Sequence, residues 1–115
     1  MISKTDFRVL SLMLEKINRL IEIVQKHPKE EIEKEYVLSD SIQYEFEKLY
    51  EDSTRLSVGF RIEYSTQLHI DDIRSIRNRV AHDYESVSIR ILFDTIENDL
   101  PKLKQDIESF IKKEQ

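Results

Sequence analysis

A chain of 115 residues with 1 Gly, 2 Pro, no Cys and no Trp makes one domain, residues 1–115. Average usage would supply roughly 8 Gly and 6 Pro, so the tight bends of a sandwich or barrel are excluded. So are glycine-rich phosphate loops, disulfides, thiolate zinc sites and a thiol nucleophile. No apolar run approaches the ~18 residues of a membrane span. The start, Met1-Ile2-Ser3-Lys4-Thr5-Asp6, has no long apolar stretch behind a basic segment and reads as no signal peptide, which with the missing cysteines leads us to expect a cytoplasmic protein. The net charge of −5 is uneven: residues 1–24 carry +1, residues 25–52 carry −5 and residues 53–115 carry −1. Between Arg74 and Arg90 the balance reverses to +2. This is not the basic footprint of a duplex-DNA binder, but it leaves room for a local cationic site on an acidic body.

The first helix is marked by Val9/Leu10, Met13/Leu14, Ile17, Leu20/Ile21 and Val24, one apolar stripe recurring every three to four residues. Ser3 followed by Asp6 fits a capping box, and Pro28 predicts a stop around Lys26. Lys29–Glu35 is nearly all charged and reads as an exposed connector or frayed turn. A second helix is expected to start near Ser39 or Asp40, either of which can cap, with Ile42, Phe46, Leu49, Ser53 and Leu56 inward and Tyr36, Tyr44, Glu47 and Tyr50 flanking. Gly59 suggests a helix end or a close backbone approach. Phe60–His69 is either an extension of that helix or a loop carrying Ile62 and Tyr64.

A third helix is expected from about Asp71 to Ala81, opened by two acids that suit the positive end of the macrodipole. A fourth runs from about Ser86 to Asn98. Asp99 as N-cap and Pro101 near the first helical position restart the chain, and Leu103, Ile107, Phe110 and Ile111 mark the inner side of the last helix. Without repeats or an interdomain linker, these elements predict an all-α, up-and-down bundle of four or five antiparallel helices.

Ionisable side chains are abundant, so spacing decides which of them carry chemistry. His27 beside Pro28 reads as a solvated loop histidine, and His69 as a contact to the start of the third helix. No histidine has the i, i+4 partner of a zinc protease, and no serine has a glycine elbow, so neither a metal centre nor a cofactor is expected. The octapeptide Arg77-Asn78-Arg79-Val80-Ala81-His82-Asp83-Tyr84 stands apart. RNA cleavage needs a base for the 2′-OH proton, an acid for the leaving 5′-oxygen and a fixed cation for the crowded phosphorane. Histidine shuttles protons near neutrality and arginine offers a permanent planar fork to phosphate oxygens, with no metal required. Arg77 and His82 are five residues apart, ~140° around a continuous helix, whereas Asn78 and His82 share a face. The Arg77/His82 pair converges on one phosphate if the helix unwinds near His82 or if a two-fold dimer packs two such segments together. The same spacing also fits a helix end capped by His82 with surface arginines around it.

The stretch IRSIRNRVAHDYESVSIRILFDTIENDLPKLK, residues 73–104, resembles the C-terminal half of the HepT-like branch of the HEPN superfamily. The likeness lies in Arg-Asn followed by His-x-Tyr, a Val-x-Ile helix start and Glu-Asn-Asp-Leu-Pro-x-Leu-Lys, while Phe60–Asp71 departs from the family's usual loop. It implies a helical homodimer acting as a metal-independent endoribonuclease toxin, with a minimal nucleotidyltransferase antitoxin as partner and RNA as substrate. Carried over to this chain, Arg77 and His82 are the motif pair, Asn78 and Arg79 support them, and Tyr84 is the tyrosine to which the antitoxin attaches AMP. A modified Tyr84 would then occupy Arg77 with phosphate and block RNA. The competing expectation is a non-catalytic helical subunit that binds substrate or partner for a nucleotidyltransferase through its acidic Gln25–Asp52 stretch, including Glu30, Glu31 and Glu33.

Overall fold

Helix α1, Lys4–Lys26, starts where Ser3 turns extended and its hydroxyl accepts the Asp6 N–H at 3.0 Å. It ends where Pro28 forbids continuation and His27 becomes extended. Its stripe of Leu10, Met13, Ile17 and Leu20 is fully buried. The computed structural model describes residues 2–82 and 86–114, the side chains of residues 80–82 and 86–88 lying outside that description. Around α1 are α2 (Lys29–Lys34), α3 (Tyr36–Thr54), α4 (Val58–Leu68), α5 (Ile70–His82), α6 (Ser86–Asn98) and α7 (Leu100–Glu114). Among the described residues there is no strand, and the fold is all-α. The expected bundle is formed by α1, α3, α5, α6 and α7, with α1 packed on α3, α6 and α7. The two shorter helices, α2 and α4, bring the total to seven. No helix among the described residues is long and apolar enough to cross a membrane.

Three sequence expectations need correction. The charged run after Pro28, expected as an exposed connector or frayed turn, is the short helix α2, which buries Ile32 completely while Glu30, Glu31 and Lys34 stay exposed. Two of its charges reach α6: Lys29 Nζ lies 2.6 Å from Asp94 and Glu33 lies 2.8 Å from Arg90 Nε. Glu33 therefore belongs to the α2–α6 contact rather than to a free acidic surface. Helix α3 begins at Tyr36, ahead of Ser39, whose hydroxyl bonds back to the Tyr36 carbonyl at 3.3 Å from inside the helix. It also ends at Thr54, before Gly59. The Ser53 and Thr54 hydroxyls donate to the Tyr50 and Glu51 carbonyls, each at 2.6 Å, competition that loosens a last turn. Gly59 sits inside α4 with open space where a Cβ would be, so it makes no close approach.

The break between α3 and α4 is held by a carboxylate far away in sequence. Asp6, 4% exposed, accepts the Ser57 N–H at 2.8 Å and the Ser57 hydroxyl at 2.7 Å. Ser57 Oγ in turn accepts the Phe60 N–H at 3.2 Å and caps α4. One buried anion thus serves the N-terminal ends of two helices, where charge of that sign is favoured. Helix α4 is then pinned to α7 by the rings of Phe60, Tyr64 and Phe110, whose centroids lie 4.7–5.6 Å apart. It stops at His69, a non-glycine residue in the left-handed region (φ 49°) and the one-residue joint to α5.

Burial pushes the Asp6 carboxyl up, but the hydrogen bonds from the Ser57 N–H and hydroxyl and from Ser3 outweigh it and hold the group below its ordinary 3.8. A carboxyl depressed by folding stabilises the fold above its unfolded value, and that contribution is lost as pH falls through the folded one. Asp6→Ala is expected to lower the unfolding free energy by about 2 kcal/mol near neutrality, because it strands the Ser57 N–H. In urea titrations the deficit should be constant above about pH 5 and should shrink below 3.8, as the wild type loses the same contribution.

Candidate active site

The arginine-rich motif lies on α5, which Asp71 and Asp72 open and whose Ile70 and Ile73 are buried in the core. Arg77 is turned toward α3. Its Nε and Nη2 donate to the two carboxylate oxygens of Glu47 at 3.4 and 3.3 Å, a two-pronged contact. Its guanidinium carbon stands 4.8 Å above the ring of Tyr50. Glu47 and Tyr50 are three residues apart on α3 and so present one edge to the arginine. They do so because Ile42, Phe46 and Leu49, all buried, fix the rotation of α3 against the core. Nη1 is left facing the adjacent Asn78, 3.5 Å from its Oδ1.

The hydrogen bonds to Glu47 and its charge raise the affinity of Arg77 for its proton, against some loss of hydration. The pair is not sealed off, the side chains of Arg77 and Glu47 being 36% and 44% exposed. The result is a preoriented, partly exposed cation whose third nitrogen rests on Asn78. A phosphate can reach it without dismantling the fork to Glu47, because a guanidinium carries five donors, of which Glu47 takes two and Asn78 one.

Of the residues singled out in sequence, Arg77 and Asn78 are adjacent in space. Arg79 is exposed and lies two residues on, ~160° around the helix from Arg77. The backbone of α5 is helical through His82, so within one chain Arg77 and His82 leave the helix ~140° apart. The His82 side chain and the whole of Tyr84 lie outside the described residues. His27 is not a free loop residue: it closes α1 and its Nδ1 is 2.9 Å from Glu31. His69 meets the start of α5, its carbonyl accepting the Asp72 N–H at 3.1 Å. Among the described residues no three His, Asp or Glu side chains are grouped to hold a metal ion.

Sequence reasoning left Glu47 and Tyr50 as flanking residues of the second helix, yet they orient Arg77. Their i, i+3 spacing was visible, but nothing in it pointed 30 residues downstream.

Residues 13–110 match the family described as Ribonuclease HepT-like. The chain belongs to the HepT-like ribonuclease family. That match spans Glu47, Tyr50 and the whole of the motif from Arg77 to Tyr84. The chain is also 28% identical over 111 residues to a protein of Caldanaerobacter subterraneus subsp. tengcongensis that carries the name "Putative RNase TTE0752". The alignment covers 96% of this chain and 98% of that protein. No solved structure matches. A HepT-like ribonuclease is an endoribonuclease.

Glu47→Ala is expected to free the Arg77 side chain without unfolding the domain, since the pair is half exposed. In nitrogen–proton spectra the Arg77 Nε–H signal, protected in the wild type, should vanish into fast solvent exchange, with little change in thermal melting.

Proposed function

We propose that the protein is the toxin of a toxin–antitoxin pair and cleaves cytoplasmic RNA without a metal, using Arg77 and His82 across the cleft of a two-fold dimer. In this reading the His82 imidazole takes the ribose 2′-OH proton and returns a proton to the leaving 5′-oxygen, while Arg77 neutralises the phosphorane. Asn78 hydrogen-bonds substrate or His82 from the next position, and Arg79 adds charge for phosphate. The observation that carries the reading is the posture of Arg77, held by Glu47 and Tyr50 with Nη1 against Asn78 and the side chain still partly exposed. Helical backbone through His82 favours the dimer, because one chain alone keeps the two side chains on different faces. Glu47 also offsets part of the repulsion between two arginines brought into one cleft.

Regulation by a nucleotidyltransferase antitoxin that transfers AMP to the Tyr84 hydroxyl completes the reading. The adenylate phosphate is a ligand for the same guanidinium that substrate phosphate needs.

Wild-type protein incubated with RNA in excess chelator should cut it, and Arg77→Ala and His82→Ala should each reduce the rate by 10²-fold or more. Mixed Arg77→Ala and His82→Ala protomers, unfolded and refolded together, should recover activity that neither has alone, since a mixed dimer keeps one guanidinium and one imidazole. Intact RNA in every wild-type reaction would overturn the nuclease assignment, and failure of mixing to rescue would overturn the shared cleft. With the partner enzyme and ATP, intact-mass measurement should show AMP on wild type and none on Tyr84→Phe.

One observation favours the second reading, a binding subunit. Tyr36, Val37 and Tyr44 on α3 are 84%, 74% and 62% exposed, amid Glu35, Asp40 and Glu51, a composition suited to a partner surface. That reading expects intact RNA together with loss of partner binding in Tyr36→Ser/Tyr44→Ser.

A further inference from the structure

Away from Arg77, α7 borders a groove whose opposite wall is the corner between α4 and α5. Two cavities of about 350 and 420 Å³ meet there, with His69, Lys102 and Asp106 lining both. On α7 the lining runs from Asp99 through Leu103, Asp106 and Phe110 to Lys113, one side of the helix over about 21 Å. Ile73 and Ile76 face the first cavity, while Arg77, one residue on and ~100° around the helix, faces α3. The groove and the arginine site therefore lie on different flanks of α5.

The first cavity has an apolar floor of Phe46, Ile73, Leu100 and Leu103, each no more than 7% exposed. Its rim carries Asp72, Asp99 and Asp106 against Lys102 alone, a formal −2 with His69 neutral. Lys102 is already engaged, its Nζ 2.8 Å from Asp106. Asn98 lines the first cavity and Gln67 the second, and each amide offers a donor and an acceptor, the pair of functions a peptide main chain needs.

We propose that this groove binds an extended segment of a second protein in which a large apolar residue stands beside a lysine or arginine. The apolar side chain enters the first cavity, its basic neighbour lies between Asp72 and Asp99, and the following residues run along α7 past Gln67. Charge decides the class of occupant. A surplus of carboxylates at the apolar end attracts a cationic segment and repels nucleic-acid phosphates. A length of about 21 Å takes roughly six extended residues at 3.3 Å each, the size of a short recognition motif. The proposal goes beyond the nuclease reading and does not depend on it.

The probes are fluorescent short peptides alternating leucine with lysine, leucine with glutamate, and serine with lysine. The leucine–lysine peptide should bind at least tenfold more tightly than the other two and should shift the amide signals of His69, Asn98, Lys102 and Asp106. Asp72→Asn/Asp99→Asn, which removes two charges at nearly unchanged side-chain size, should weaken it about tenfold while leaving the spectrum folded. Equal binding of all three peptides would overturn the proposal. So would shifts confined to the acidic face of α3, or no response to the double substitution. An oligoribonucleotide that shifts the same groove amides, or concentration-dependent shifts there with no peptide, would assign the groove to RNA or to a second copy instead.

Discussion

The seam between α1 and α3 is the constraint on which the rest of the molecule depends. Ile17 and Leu20 on one side and Ile42, Phe46 and Leu49 on the other are buried to 2% exposure or less. Close packing of this kind leaves each helix one rotation about its axis. Beside the apolar contact, Lys16 Nζ sits 2.7 Å from Asp52, with only 16% and 6% of the two side chains exposed. Such a pair adds little net stability, but it punishes any slip that would separate its members. With α3 locked in this way, the edge carrying Glu47 and Tyr50 has one place to point, and α5 supplies the arginine that meets it.

Function and fold are separated cleanly across α3. Its inner face is ordinary core, its edge toward α1 carries Asp52, and its edge toward α5 carries Glu47. The motif arginine is thus ordered by contacts within its own chain. Bidentate hydrogen bonding and stacking on Tyr50 limit its rotamers, so a ligand held by this guanidinium would cost less side-chain freedom than one held by a free arginine. The geometry shows how this chain keeps Arg77 oriented.

Much of the architecture was legible in the residues. The three-to-four periodicity of α1, its serine cap and its proline stop are local signals, and the helix follows them. The same is true of α6 and of α7, where Asp99 and Pro101 mark the restart. Local reasoning failed where a long-range contact supplied the physics. Ile32 is one apolar residue in a charged run, and only the packing of α2 on α3 and α6 makes it a core residue. The α3–α4 break rests on Ser53, Thr54 and a carboxylate 51 positions earlier than Ser57, so the lone glycine was a false cue. The Arg77–Asn78 part of the candidate site comes from motif and resemblance, whereas Glu47 entered only when the fold joined residues 30 positions apart.

His69 has a mechanical consequence. A joint of one residue in the left-handed region has almost no slack, since a neighbouring backbone basin is reached only by swinging a whole helix. Helices α4 and α5 are therefore geared together. A change in the backbone of His69 would swing α5 relative to α4 and to the aromatic cluster that ties α4 to α7.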